Sequence, residues 1–75
     1  MGDITAIRTI AAGNSVRGRQ RLRKFYGSGR WRKLAGHAVV QLRNGSHYVA
    51  ELHWYEAHGL GQREIKVKRL VRPIA

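Results

Sequence analysis

The stretch His37-Ala-Val-Val-Gln-Leu-Arg-Asn44-Gly45-Ser-His-Tyr-Val-Ala-Glu-Leu-His-Trp-Tyr55 decides the fold class. Before the Asn-Gly pair, Ala38, Val40 and Leu42 alternate with His37, Gln41 and Arg43, the last three sharing their side with Val39. After it, Tyr48, Ala50, Leu52 and Trp54 alternate with His47, Glu51, His53 and Tyr55, and Val49 is an apolar exception. A period of two residues is the signature of a half-buried strand. Asn-Gly suits a two-residue turn in which both central residues take positive φ. The segment therefore reads as a hairpin. With Asn44 and Gly45 alone as the loop, Leu42 opposes His47 and Gln41 opposes Tyr48, which sets the two apolar stripes on opposite faces. Either a bulge near Ser46 restores the register, or both faces are covered, as in a small closed barrel.

Working outward, His58-Gly-Leu-Gly61-Gln62 reads as a second connection, and Arg63 to Arg69 as a third strand with Ile65 and Val67 inward and Glu64, Lys66 and Lys68 outward. Leu70 and Val71 break the alternation, and Pro73 ends regular pairing or confines it to an edge. On the other side, the Trp31 segment is expected to start a fourth strand. Ile4, Ile7, Ile10 and Ala11 recur at helical intervals and predict one or two turns ending at Gly13, laid over an open face, although Thr5, Thr9 and the isoleucines also suit a strand. Asn14 and Ser15 fit the cap of a short helix running towards Tyr26, with Gly18 inside it costing about 1 kcal/mol relative to alanine. The expected fold is mainly β, a single domain over 1–75 with a basic segment at 1–30 and an antiparallel meander at 31–72. The meander is either a small bent sheet or an SH3-like barrel, with a short N-terminal helical or irregular segment against it.

Fifteen Lys plus Arg against four Asp plus Glu leave a net charge of +11 on 75 residues. A chain of this length makes one domain and excludes large multi-domain enzymes. Without cysteine there is neither a disulfide framework nor a thiolate metal cage. No stretch approaches the ~20 apolar residues of a membrane span. Met1 to Ala12 lacks the pattern of a secretory signal, and Ala6 stands where an N-terminal lipid signal at Gly2 wants Ser or Thr. The chain reads as cytoplasmic, with no membrane partner and no cofactor.

The charge exceeds the roughly 2 to 8 that keeps a small domain soluble, which points to an anionic partner. Arg17, Arg19, Arg21, Arg23, Lys24, Arg30, Arg32 and Lys33 place eight cations in seventeen residues with no acid between them. Arg63, Lys66, Lys68, Arg69 and Arg72 follow in the last strand. Phosphate backbones attract such surfaces through counterion release, guanidinium forks bind phosphate in two contacts, and exposed rings stack on bases. The leading expectation is a non-catalytic nucleic-acid-binding protein, RNA or DNA, with the eight cations of that run and Arg63, Lys66, Lys68 and Arg69 on the phosphates and Tyr26 and Trp31 stacking. The competing assignment makes Leu22, Phe25 and Trp31 core residues.

Two other classes compete. His47, Glu51 and His53 share a strand face and carry groups that exchange protons near neutral pH, so a small toxin-like ribonuclease would use them as base and acid, with Arg63 stabilising the phosphorane. Their spacing matches no established nuclease or zinc motif, and no metal is expected. The charge, with Tyr48, Val49 and Tyr55, also suits an adaptor docking on an acidic protein.

Trp31-Arg-Lys-Leu-Ala-Gly36, His53-Trp-Tyr-Glu-Ala-His58-Gly-Leu-Gly61 and Ile65-Lys-Val-Lys68 resemble a set of short basic bacterial proteins, common in cyanobacteria, with a similar His-Trp-Tyr-Glu-Ala stretch. No activity is assigned to that set, so the resemblance implies a bacterial, intracellular origin and adds no catalytic residue. The tight basic meander is also similar, at fold level, to small SH3-like barrels that bind nucleic acids or proteins.

Overall fold

The computed structural model describes residues 3–74; the lipid-signal reading at Met1 and Gly2 lies outside them. Four strands and one helix follow in the order β1 (Thr5–Ala12), a 3-10 turn (Gly13–Ser15), α1 (Arg19–Tyr26), β2 (Arg32–Gln41), β3 (His47–Ala57) and β4 (Gly61–Ile74). All neighbours are antiparallel, in the order β1-β2-β3-β4. The fold is mainly β, a bent open meander. Its edge strands β1 and β4 do not pair with each other, so the barrel alternative gives way to the open sheet.

The central hairpin resolves its conflict by lengthening the turn. Gly45 takes φ 89°, its N–H donates to the Leu42 carbonyl at 2.9 Å, and the Leu42 N–H donates to the Ser46 carbonyl at 2.8 Å. Arg43, Asn44 and Gly45 thus form a three-residue loop with glycine in the left-handed position. Gln41 then faces His47 and Val40 faces Tyr48, one step from the two-residue register. Both stripes consequently land on one face, where Leu34, Ala38, Ala50, Leu52 and Trp54 are buried and Ile4 and Val40 pack against them. Gly36 lies at the centre of this face. A Cβ built there would come within 2.6 Å of Ile4 Cγ2 and 3.1 Å of Trp54 Cη2, so its missing side chain is what lets those two close over the sheet.

The N-terminal isoleucines form a strand and not the expected helical turns. Thr5 pairs with His37, Arg8 with Ala35, Thr9 with Leu34 and Ala11 with Lys33, with register shifts between Thr5 and Arg8 and between Thr9 and Ala11. Ile4 packs on the sheet core while Ile7 and Ile10 are exposed at 54% and 41%, so the three-residue recurrence of Ile marks no buried helical stripe. The fourth strand therefore comes from β1 and the sheet begins well before residue 31, while the Trp31 segment leads into the long β2.

The short helix expected between Asn14 and Tyr26 is present, starting after Gly18. It packs on the opposite face at one end, where Val16, Leu22, Trp31 and Ala57 are buried with Ala11, Tyr26, Tyr55 and Leu60 around them. Trp31 is 1% exposed and its indole N–H donates to the Gly27 carbonyl at 3.1 Å. No helix of the described residues is long and apolar enough to cross a membrane. Gly36→Ala should cost about 1–3 kcal/mol through overpacking. Urea unfolding should show a lower midpoint with an unchanged slope.

Candidate nucleic-acid interface

On β3 the residues of the second face advance in steps of two: Val49, Glu51, His53, Tyr55. Their partners on β4 advance in steps of three: Arg72, Arg69, Lys66, Arg63. Register shifts between each successive pair absorb the extra residue, so every third residue of β4 returns to the same face. Directly opposed residues share a face, and four cations that simple alternation scatters over both sides stand in one row. The expected inward Ile65 and Val67 are exposed at 41% and 51% on this bulged edge.

Arg8 of β1 opposes Ala35, and Lys33 of β2 opposes Tyr55, which brings both onto the same face as the row. The Lys33 Nζ lies 5.8 Å from the Tyr55 ring centroid. Partial burial, and then the like charges of Lys66, Lys68 and Arg17, pull the Lys33 ammonium below the ordinary lysine value. That pattern marks a local surplus of cations. A depression of about 230 Å³ beside it is lined by Ile10, Ala11, Ser15, Arg17, Lys33 and Tyr55.

A separate cleft of about 600 Å³ opens at the helical end, where Arg19 and Arg23 of α1 face Arg30 across Gly13 and Gly29. Arg19 donates to the Asn14 side chain, which holds it at the cleft rim. The acid-free run thus divides. Arg17 and Lys33 join the sheet row, while Arg19, Arg23 and Arg30 line the end cleft.

Several expected contacts are placed elsewhere. Arg21 donates to Glu64 at 2.6 Å, and Arg32 to Glu56 at 3.1 Å on the Trp54 face, so both are engaged in structural pairs. Lys24 lies over Phe25. Trp31 is core and unavailable for stacking, and Tyr26 is half-buried with its hydroxyl donating to Glu64 at 3.0 Å and Arg63 over its ring. Phe25, by contrast, is 68% exposed. Its position one turn beyond the buried Leu22 suits a core residue in sequence, but in the structure it is exposed in the last turn of α1.

Of the three proton-transfer residues, Glu51 and His53 come together and His47 does not. His47 stands exposed at the start of β3, four residues and ~13 Å of strand from Glu51. Glu51 and His53 are buried, and the His53 Nε2 is 2.7 Å from the Glu51 carboxylate. The other ring nitrogen, Nδ1, is buried with no hydrogen-bond partner among the described residues. Arg8 at 3.7 Å and Arg69 at 3.3 Å complete the ring around Glu51. This is the geometry of an ion cluster that joins strands. Among the described residues no group of three or more His, Asp or Glu side chains is placed to hold a metal.

The hydrogen bond from His53 holds the Glu51 carboxyl below the usual range against the opposing effect of burial, and Arg69 and Arg8 add to it. A depressed folded value means that Glu51 contributes stability fully above its unfolded pKa of about 4.3, and that this is lost as pH falls through the lower folded value. The stability advantage of wild type over Glu51→Gln should therefore be largest near neutrality and shrink below about pH 4, as read from urea midpoints across pH. Comparison with protein-family models, curated proteins and solved structures finds no match to this chain.

Proposed function

We propose that this chain is a non-catalytic nucleic-acid-binding protein that holds the phosphate backbone on the basic face of its sheet. The observation that supports this reading is the β4 register, which gathers Arg63, Lys66, Arg69 and Arg72 on the face that carries Lys33, with Arg17 lining the depression beside Lys33. Three of the four carboxylates, Glu51, Glu56 and Glu64, are committed to pairs with Arg8, Arg69, Arg32 and Arg21. They leave the rest of the row without a counter-charge within salt-bridge distance among the described residues. An anion is what such a row lacks. The cleft of Arg19, Arg23 and Arg30 extends the contact surface around the helical end.

Binding to RNA or DNA oligonucleotides, followed by fluorescence anisotropy, should weaken steeply with salt, with a log-log slope of about −0.7 per neutralised phosphate on single strands or about −0.9 on duplex. Lys33→Gln with Lys66→Gln should make that slope less negative by about 1.4 on single strands. The RNA should be recovered intact. Salt-independent binding, or cleavage that survives purification, would contradict the reading.

A further inference from the structure

The row has a spacing as well as a sign. Arg63, Lys66, Arg69 and Arg72 face Tyr55, His53, Glu51 and Val49, which are consecutive same-face positions of an extended strand. Two residues of strand span about 6.6–6.8 Å. The backbone positions of successive cations therefore repeat at nearly that interval along one side of β3, and the four cover about 20 Å. Successive phosphates along an extended nucleic-acid strand repeat at closely similar distances. In a duplex, by contrast, each backbone winds around the helix axis and leaves a straight row after a few phosphates.

We infer that the β4 row is a track for an extended single strand of RNA or DNA, laid parallel to β4 with one phosphate at each of Arg63, Lys66, Arg69 and Arg72. The inference rests on the nucleic-acid reading and names its substrate class. Arg69 is the fixed point of the track: Glu51 holds one side of its guanidinium at 3.3 Å while the side chain stays 60% exposed. Arg8 makes the cluster net positive despite that carboxylate, since two guanidiniums surround it. At the helical end, Arg63 lies 5.6 Å from the Tyr26 ring centroid, and the Tyr26 hydroxyl bonds Glu64. One end of the row, Arg63, and its third member, Arg69, are therefore anchored in the fold. Bases would project away from the cations, and Tyr55 at the floor of the Lys33 depression is the half-buried ring within reach of the terminal one.

The test compares oligo(dT) and oligo(rU) of two to ten nucleotides with a blunt sixteen-base-pair duplex, by anisotropy at several ionic strengths. Affinity for single strands should climb steeply until about four phosphates are present and more slowly as longer strands reach Lys33 and the end cleft, with a slope near −2.8 on the four-phosphate site. The decisive variant exchanges neighbours, Lys66→Val with Val67→Lys, which keeps composition and net charge and moves one cation off the face. Both positions are exposed, and a retained amide spectrum confirms the fold. The exchange should lower single-strand affinity severalfold and reduce the slope by about 0.7, like Lys66→Gln. Wild-type affinity in the exchange variant would overturn the track, because net charge alone would then explain binding. Equal or tighter binding of the duplex would overturn it while leaving the nucleic-acid reading intact. Displacement of the oligonucleotide by poly-glutamate at equal charge concentration would also overturn it, in favour of an acidic protein surface. Absence of binding to every oligonucleotide at low salt would remove the parent reading itself. The dT and rU arms separate DNA from RNA under a single-strand outcome.

Discussion

The structure depends on a mismatch of register. An inner strand that advances two residues per same-face step is paired with an edge strand that advances three, and β-bulges are the only backbone device that reconciles the two counts. Each bulge leaves a residue out of the ladder and bends the strand. A fourteen-residue edge can follow the twist of a small sheet only if it yields in this way. The same bends guard the edge, because a long regular strand with open N–H and C=O groups would template a second copy, whereas an irregular one rich in Lys and Arg does not. β1, with its own two shifts, protects the other edge by the same means.

With so few acids, three of the four carboxylates are placed where elements meet. Glu51 sits on the central strand between Arg8 of β1 and Arg69 of β4 and so ties three strands together. Glu64 takes φ 57°, an unfavourable backbone for a side-chain-bearing residue, and is held there by Arg21 and Tyr26 of α1. It clamps the helix to the bent end of β4. Glu56 accepts from Arg32 and from the Trp54 indole at 3.0 Å, closing the first core at its edge. The negative charge is thus spent on joints, and the remaining positive charge is left for a partner to meet.

Alternation around Asn44-Gly45 carried the hairpin, because period two is a direct consequence of the pleat and needs no tertiary information. The one-residue extension of its turn was visible only as a contradiction: two apolar stripes that a tight turn would separate had to share a core. The edge strands were less legible. Ile4, Ile7 and Ile10 imitate a helix, and Arg63, Lys66, Arg69 and Arg72 fall on both sides of a regular strand, since a bulge is decided by the partner strand and by bending and leaves no local composition signal. Trp31 and Phe25 exchanged expected places for a related reason. Which side of a short helix meets the sheet depends on where the preceding turn ends.

Sequence density of charge and spatial alignment of charge are different quantities, and here they diverge. The run from Arg17 to Lys33 is the more conspicuous in the chain, yet folding disperses it: Arg21 and Arg32 enter ion pairs, Arg19, Arg23 and Arg30 gather at the end cleft, and only Arg17 and Lys33 reach the sheet row. The last strand, diluted by Glu64 and by five apolar residues from Ile65 to Ile74, delivers the ordered row. Helical and irregular backbone fans its side chains around an axis, so a dense run becomes a diffuse field. A strand fixes them on a face at a set interval, and its bulges set which interval. Attraction from a distance needs only the first arrangement, but contact with a periodic polyanion needs the second.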